Sequence, residues 1–325
     1  MVKFNLSDKW KKIISIIVFF VLTYGILLGI GIALTPKNPL DRASYRTTDI
    51  RGVTVEEANT LDVVNIGHSG VMYGINPMEM YEKYGIASYN LAETSQSPRE
   101  AYDILAEVLK TQSPKVVVLN VDQFFYDKAE NKLRFAFQAT LSKAFPIFGS
   151  HTNWRRLIGK ENNERSICKN YIVSTDVIPC DGNKRMGETD EVYKIRKGNL
   201  KNLERIVKLC EDKGIELVLV EIPSTIYWSY SRHNAIVEFA KKHKDLPFVD
   251  LNVIDIGIDW SKDTRDKGDH MNFSGSTKVS DYIGQYLVDN YAVGNHRGEE
   301  AYAEWENDLV KFRAKYGYPS GGENE

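Results

Sequence analysis

Cysteine is scarce, with three residues in 325. That excludes a disulfide-scaffolded domain, and no C-x-x-C or Cys/His spacing marks a structural zinc. Net charge is nearly absent too, at −2. No global positive field therefore draws the chain to nucleic acid. There is no Walker loop, no dinucleotide fingerprint and no H-E-x-x-H, so neither a cofactor nor a metal is expected. Internal repeats are missing, and the only biased tract is the Gly/Glu-rich tail after Tyr318. A composition of 42% hydrophobic and 11% aromatic residues excludes a disordered or collagen-like chain.

The hydrophobic residues that are present are unevenly spread. Ile13 to Leu34 is 22 residues without a charge. As a helix it spans roughly 33 Å, enough for a hydrocarbon core of about 30 Å. The apolar region of a cleaved signal peptide is shorter, about 7–15 residues, and Ala33-Leu34-Thr35-Pro36 is a poor cleavage site. The run reads as an uncleaved anchor. Lys3, Lys9, Lys11 and Lys12 precede it against Asp8 alone. The positive-inside rule holds that end in the cytoplasm, giving a single-pass type II protein of the plasma membrane whose remainder is extracytoplasmic. Gly25 and Gly29 form a G-x-x-x-G on which another helix could close. Outside the cytoplasm, Cys168 and Cys180 become candidates for a disulfide, although their spacing says nothing of geometry. Cys210 reads as a buried small hydrophobe.

The chain then divides into five segments: residues 1–12 cytoplasmic, 13–34 the span, 35–58 a polar linker, 59–292 an α/β domain and 293–325 a terminal helix with its tail. Within the domain, short apolar runs alternate with helical periods. Asp62–Ile66, Ala87–Leu91, Lys115–Val121, Glu216–Ile222 and Pro247–Leu251 read as strands. Asn76–Tyr84, Pro98–Thr111, Leu200–Lys213, Thr225–His243, Gly275–Val288 and Glu299–Lys315 read as helices. This alternation predicts a doubly wound parallel sheet covered on both faces, a three-layer sandwich of flavodoxin type. Phe124 to Lys197 has no clear period. In such sheets the sites lie at the carboxyl ends of the strands.

After the first strand stands Gly67-His68-Ser69-Gly70. A serine there is exposed at the sheet edge, beside backbone N–H groups able to hold negative charge. A serine nucleophile also needs a base and an orienting acid. Of six histidines, His68 adjoins Ser69, and sequence neighbours usually point apart. His151, His233, His243 and His296 suit surface or packing roles. His270 lies in Asp266-Lys267-Gly268-Asp269-His270-Met271-Asn272, a polar loop between the last strand and the last long helix. Asp266 and Asp269 are both near enough in sequence to orient it.

Three stretches resemble the SGNH/GDSL hydrolase superfamily in its membrane-anchored, cell-envelope branch. They are Asn65–Ser69 with Tyr73–Pro77, Ser88–Ala92 through Ser95–Ser97, and Gly268–Gly275. The resemblance implies a Ser-His-Asp mechanism with Ser69 as nucleophile and His270 as base. The backbone N–H of Ser69 would form part of the oxyanion hole. The family places its Asp three residues before the His, where this chain has Lys267; Asp269 is preferred over Asp266 as the acid. The family's Gly-x-Asn-Asp block is not evident, so Gln96 is the substitute oxyanion donor, with Asn90 and Asn120 as weaker choices. The implied activity is O-acyl ester hydrolysis or transfer on an envelope polymer, beside a membrane-bound O-acyltransferase. A catalytically silent binding or assembly module and a sugar-binding receptor-like domain are the rival expectations. Trp228, Tyr230 and Trp305 read as packing residues, and His151–Arg156 as a solvated surface.

Overall fold

A computed structural model describes residues 7–34, 38–43, 48–125, 165–182 and 186–317. Contacts divide the chain into two bodies. One of them holds helix α1, Asp8–Leu34. Its 27 residues extend about 40 Å, and its mean hydropathy reaches 2.7. The helix is therefore long and apolar enough to cross a membrane, a description that a signal sequence also meets.

The second body spans Pro39–Tyr126 and Asn163–Glu325. It opens with a short helix α2, Pro39–Ala43, and a 3-10 helix, Thr48–Val55. β1 (Val63–Gly67) leads into α3 (Ser69–Gly74) and α4 (Pro77–Tyr84). β2 (Ser88–Ala92), α5 (Pro98–Val108) and β3 (Val116–Asn120) follow. Beyond residue 164 come α6 (Lys197–Lys213), β4 (Glu216–Glu221), α7 (Tyr230–Lys242) and β5 (Phe248–Asp250). α8 (Phe273–Asn290) and α9 (Ala303–Tyr316) complete the described chain. Each strand and long helix overlaps the segment that apolar periodicity predicts. The start signals also work locally: Ser97 and Glu100 form a reciprocal capping box at the head of α5, with Pro98 next to the cap.

All strand pairings are parallel, in the order β2-β1-β3-β4-β5. Alternate residues feed two cores. Val64, Ile66, Val117, Leu119, Leu217 and Leu219 join one cluster with α5, α6, α7 and α9. Val63, Val116, Val118, Val218 and Val220 join the other with α3 and α8. Burial on both faces explains why these strands read as continuous apolar runs rather than as alternating ones. The chain runs from β1 outward to β2 and then crosses back to β3 on the other side. That places a topological switch point at the carboxyl ends of β1 and β3.

Two expectations need correction. Of the segment read as a linker, the described residues from Pro39 onward belong to the domain, because Leu40, Ile50 and Val53 are buried in the first core cluster. Its polar composition hid three apolar residues spaced to fit that core. Cys168 and Cys180 are not paired; all three thiols are free. Cys168 Sγ donates to Tyr316 Oη at 3.7 Å, whereas Cys180 Sγ sits 3.7 Å from Thr225 Oγ1. Cys210 is buried in α6, as expected, and burial pushes its thiol up to about 12. Trp228 and Trp305 are likewise buried. The His151–Arg156 reading and the tail after Tyr318 lie outside the described residues.

One buried ionic cluster ties the segment before β1 to the last helix. Lys169 is fully buried, with Nζ 2.7 Å from Glu56 Oε1 and 2.6 Å from Asp308 Oδ2. It also lies 4.3 Å from the centre of the Trp305 ring. Arg165 joins the same two carboxylates at 2.8 and 2.5 Å. Removing one partner of such a cluster leaves buried charge uncompensated, at a cost of about 3–5 kcal/mol. Lys169→Met should therefore lower the thermal midpoint of the detergent-solubilised chain by several degrees. A melt within about one degree of wild type would show that the cluster does not hold these segments together.

Candidate active site

Ser69 stands directly beyond β1, where α3 begins, and is partly exposed. His270 comes from the loop before α8, 201 residues later. The fold brings them together at the switch point, with the Ser69 hydroxyl donating to His270 Nε2 at 2.7 Å. On the far side of the ring, Nδ1 donates to Asp266 Oδ2 at 2.6 Å. An imidazole whose Nδ1–H is committed in this way offers Nε2 as an acceptor. Ser69, His270 and Asp266 thus have the connectivity of nucleophile, base and orienting acid.

The preference for Asp269 does not survive this geometry. Its Oδ2 is 3.6 Å from His270 Nδ1, beyond hydrogen-bond range. Asp266 reaches instead because the loop bulges. Lys267 (φ +64°) and Gly268 (φ +89°) are both left-handed, so the turn takes one residue more than the three-residue spacing that the resemblance implied. The turn is pinned on three sides. Gly268 N–H donates to Thr264 Oγ1 at 2.7 Å, Gly268 O accepts from Thr225 N–H at 2.8 Å, and Lys267 N–H donates to Ile178 O at 3.0 Å. At Gly268 a Cβ would run into Thr225 Oγ1. The freed Asp266 carboxylate then grips His270 twice, accepting from its backbone N–H at 2.7 Å as well as from its ring. Tyr73 walls the imidazole, with ring centres 5.0 Å apart, and Arg265 lies over the other ring 4.3 Å from its centre.

The expected oxyanion side chains lie elsewhere. Gln96 is buried and its Nε2 donates to Leu91 O at 3.0 Å, closing its own loop. Asn90 is buried inside the domain, where Nδ2 donates to Ile75 O at 2.8 Å and Oδ1 accepts from Asn65 at 3.0 Å. Both amides are structural. Asn120, at the end of β3, does line the cleft beside Ser69. Its Nδ2 is held by Glu221 Oε2 at 3.1 Å.

Three cleft residues escaped the sequence reading. His68 and Asp122 face each other, in a close contact between Nε2 and a carboxylate oxygen. Both line the cleft with His270. Glu221, at the end of β4, accepts from the Asp122 backbone N–H at 3.0 Å. Burial, with the charges of Asp122 and Asp250, pushes the Glu221 carboxyl well above the ordinary carboxylate range. Burial also raises the Asp269 carboxyl; Asp266 adds to the rise, while His270 and His68 oppose it. The signal for Asp122 and Glu221 was positional, since each is an acid at the carboxyl end of a parallel strand. His68 was set aside on the rule that neighbours diverge, yet it lines the cleft with His270, the residue that Ser69 bonds to.

Asp266, Asp269 and His270 also lie close enough together to hold a cation. The double hydrogen bond from Asp266 to His270 already occupies both carboxylate oxygens of that acid.

No family model matches the sequence, and no curated protein matches it. Several solved structures are similar to it at low identity. A protein of Desulfitobacterium hafniense described as lipolytic and of the G-D-S-L family is 12% identical with a TM-score of 0.40, covering 70% of this chain and 99% of its own. A Bacteroides fragilis protein described as an acylhydrolase is 14% identical, with a TM-score of 0.40 over 76% of this chain and 97% of its own. A Clostridium thermocellum family 3 carbohydrate esterase is 11% identical, with a TM-score of 0.39 over 71% and 96%. Identities this low and TM-scores below 0.5 leave the geometry of the site as the basis for function.

Proposed function

We propose that this chain is a membrane-anchored, extracytoplasmic serine esterase or O-acyltransferase of the SGNH type, acting on an acyl ester of a cell-envelope polymer. The observation that carries the chemistry is the unbroken relay from Ser69 Oγ through His270 to Asp266, with both hydrogen bonds formed at 2.7 and 2.6 Å. Such alignment holds the nucleophile and base in reacting geometry before substrate arrives.

In this reading Ser69 Oγ attacks the acyl carbonyl as its proton passes to His270 Nε2. A bond forms from Oγ to the carbonyl carbon, and the negative charge gathers on the carbonyl oxygen, toward the Ser69 N–H. Asp266 stabilises the imidazolium without taking its proton. The carbon–oxygen bond to the alcohol then breaks, and His270 returns the proton to the departing oxygen. Water or a sugar hydroxyl, deprotonated by His270, takes the acyl group in the second half. The two outcomes share one triad and differ in the acceptor that reaches the acyl-enzyme.

The anchor supports the choice of substrate. A tether at α1, with lysines before it, would keep the domain at the outer membrane face, within reach of a polymer fixed there. A membrane-bound O-acyltransferase is the proposed partner, supplying acyl groups from within the bilayer. Co-purification in detergent tests that pairing, and recovery of the chain with no multi-span acyltransferase counts against it.

The detergent-solubilised full chain should release p-nitrophenol from p-nitrophenyl acetate and take up a fluorophosphonate probe. One observation favours the silent binding module instead: among the described residues, the side-chain amides proposed as oxyanion donors are engaged elsewhere. A folded chain that neither labels nor cleaves would establish that reading.

A further inference from the structure

The residue before the nucleophile is itself held in place. His68 is the cap of α3, and its Nδ1 accepts from the Gly70 backbone N–H at 2.9 Å. Only an unprotonated Nδ1 can accept, so the ring's proton must be on Nε2. Asp122 faces that nitrogen and fixes the tautomer. Asp122 is fixed in turn, since its own N–H is bound by Glu221 at 3.0 Å. The ring packs close to Gly70: a Cβ there would stand 3.1 Å from His68 Cε1. Glycine at 70 leaves the space this capping ring occupies.

We infer that His68, oriented by Asp122, is a positioning residue for the nucleophile: its neutral imidazole locks the Gly67–Gly70 turn and so sets Ser69 Oγ against His270. This rests on the serine-hydrolase reading above. His270 and Asp266 then form one His-Asp pair that does chemistry on Ser69, while His68 and Asp122 form a second that holds Ser69 still. A displacement of about 1 Å at a reacting atom can cost on the order of 10²-fold in rate, so a single cap has leverage here.

A protonated His68 would turn an Nδ1–H toward the Gly70 N–H, donor against donor, and the cap would open. The charged groups facing the ring are Asp122, from the turn after β3, and Asp269, from the loop before α8; Glu221 stands behind Asp122, and His270 shares the cleft. Burial lowers the proton affinity of His68, but Asp122, by charge and hydrogen bond, and Asp269 outweigh it and leave the group raised. The sign is then opposite for stability and for activity. The ion pair to Asp122 stabilises the fold fully below the ordinary histidine range and is lost as pH rises through the raised value. The cap that positions Ser69 exists only above it.

The test uses p-nitrophenyl acetate hydrolysis by the full chain in detergent, from pH 5 to 9. In wild type, kcat should fall on the acid side more steeply than one proton allows, because His270 and His68 must both be neutral. His68→Ala should lower kcat on the alkaline plateau about 10- to 100-fold with KM within about threefold. His68→Asn should recover most of that loss, because an Asn side chain makes the same cap at two other helices of this chain: Asn76 Oδ1 accepts from Met78 N–H and Asn272 Oδ1 from Gly275 N–H, each at 3.1 Å. An amide does not titrate, so the acid limb of H68N should flatten to a single proton. If H68A does not fold, the limb of H68N decides alone. A one-proton limb in wild type that H68N leaves unchanged, or equal loss of kcat in H68A and H68N, overturns the inference while leaving the esterase intact. A wild-type chain without hydrolysis overturns both.

Discussion

Replacing Ser69 with alanine should lower ester turnover by at least about 10⁴-fold while leaving the fold intact. Removal of the nucleophile from a triad typically costs on the order of 10⁶ in kcat, and what remains comes from binding and charge stabilisation. The change is structurally mild. Ser69 is partly exposed, and its hydroxyl bonds to His270 rather than to the core. The circular dichroism spectrum and the melt should therefore match wild type, which separates loss of chemistry from loss of structure. Activity within tenfold of wild type would mean that another group attacks the ester. Ser224, which lines the cleft with His270, is the first to suspect.

The two acids beside His270 should separate just as widely. Asp266→Asn should lower kcat by about 10⁴-fold, the effect of losing the acid that sets the imidazole tautomer. The amide can still accept from the His270 backbone N–H through Oδ1, but its nitrogen turns a donor toward Nδ1. The ring then shifts its proton to Nε2 and can no longer accept from Ser69. Asp269→Asn should cost about tenfold or less, because its carboxylate makes no hydrogen bond to the ring at 3.6 Å. Parallel kcat measurements on the two variants check the assignment. Equal losses, or a larger loss at Asp269, would return the orienting role to the residue next to His270.

That reversal between two aspartates marks where sequence stops being informative. The five strands and long helices were legible because burial on both sheet faces writes itself as continuous apolar runs, and because Ser97, Glu100 and Pro98 spell out a helix start. Ser69 was legible by position, just past a strand end in a sheet whose chemistry lies there, and His270 as the histidine of the polar loop before α8. The acid was not, because its reach depends on two successive left-handed residues, Lys267 and Gly268, and only one of them is a glycine. Counting three residues back from His270 lands on Lys267, between the two acids, and does not choose between them. Gln96 failed for a related reason: a side-chain amide after a strand can face the cleft or its own loop, and nothing in the sequence chooses. The buried helix entry at Leu40, Ile50 and Val53 was masked by the polar residues around it. His68 was masked by a rule for extended chain that a helical turn does not obey.

The central claim is that Ser69 is an activated nucleophile. Peptide mapping by mass spectrometry, after the folded full chain has reacted with a fluorophosphonate, tests it most directly. One adduct per chain is expected, on the peptide containing Ser69, formed by wild type and lost in Ser69→Ala. An unmodified Ser69 in a folded wild-type chain, or an adduct on Ser224 in its place, would contradict it.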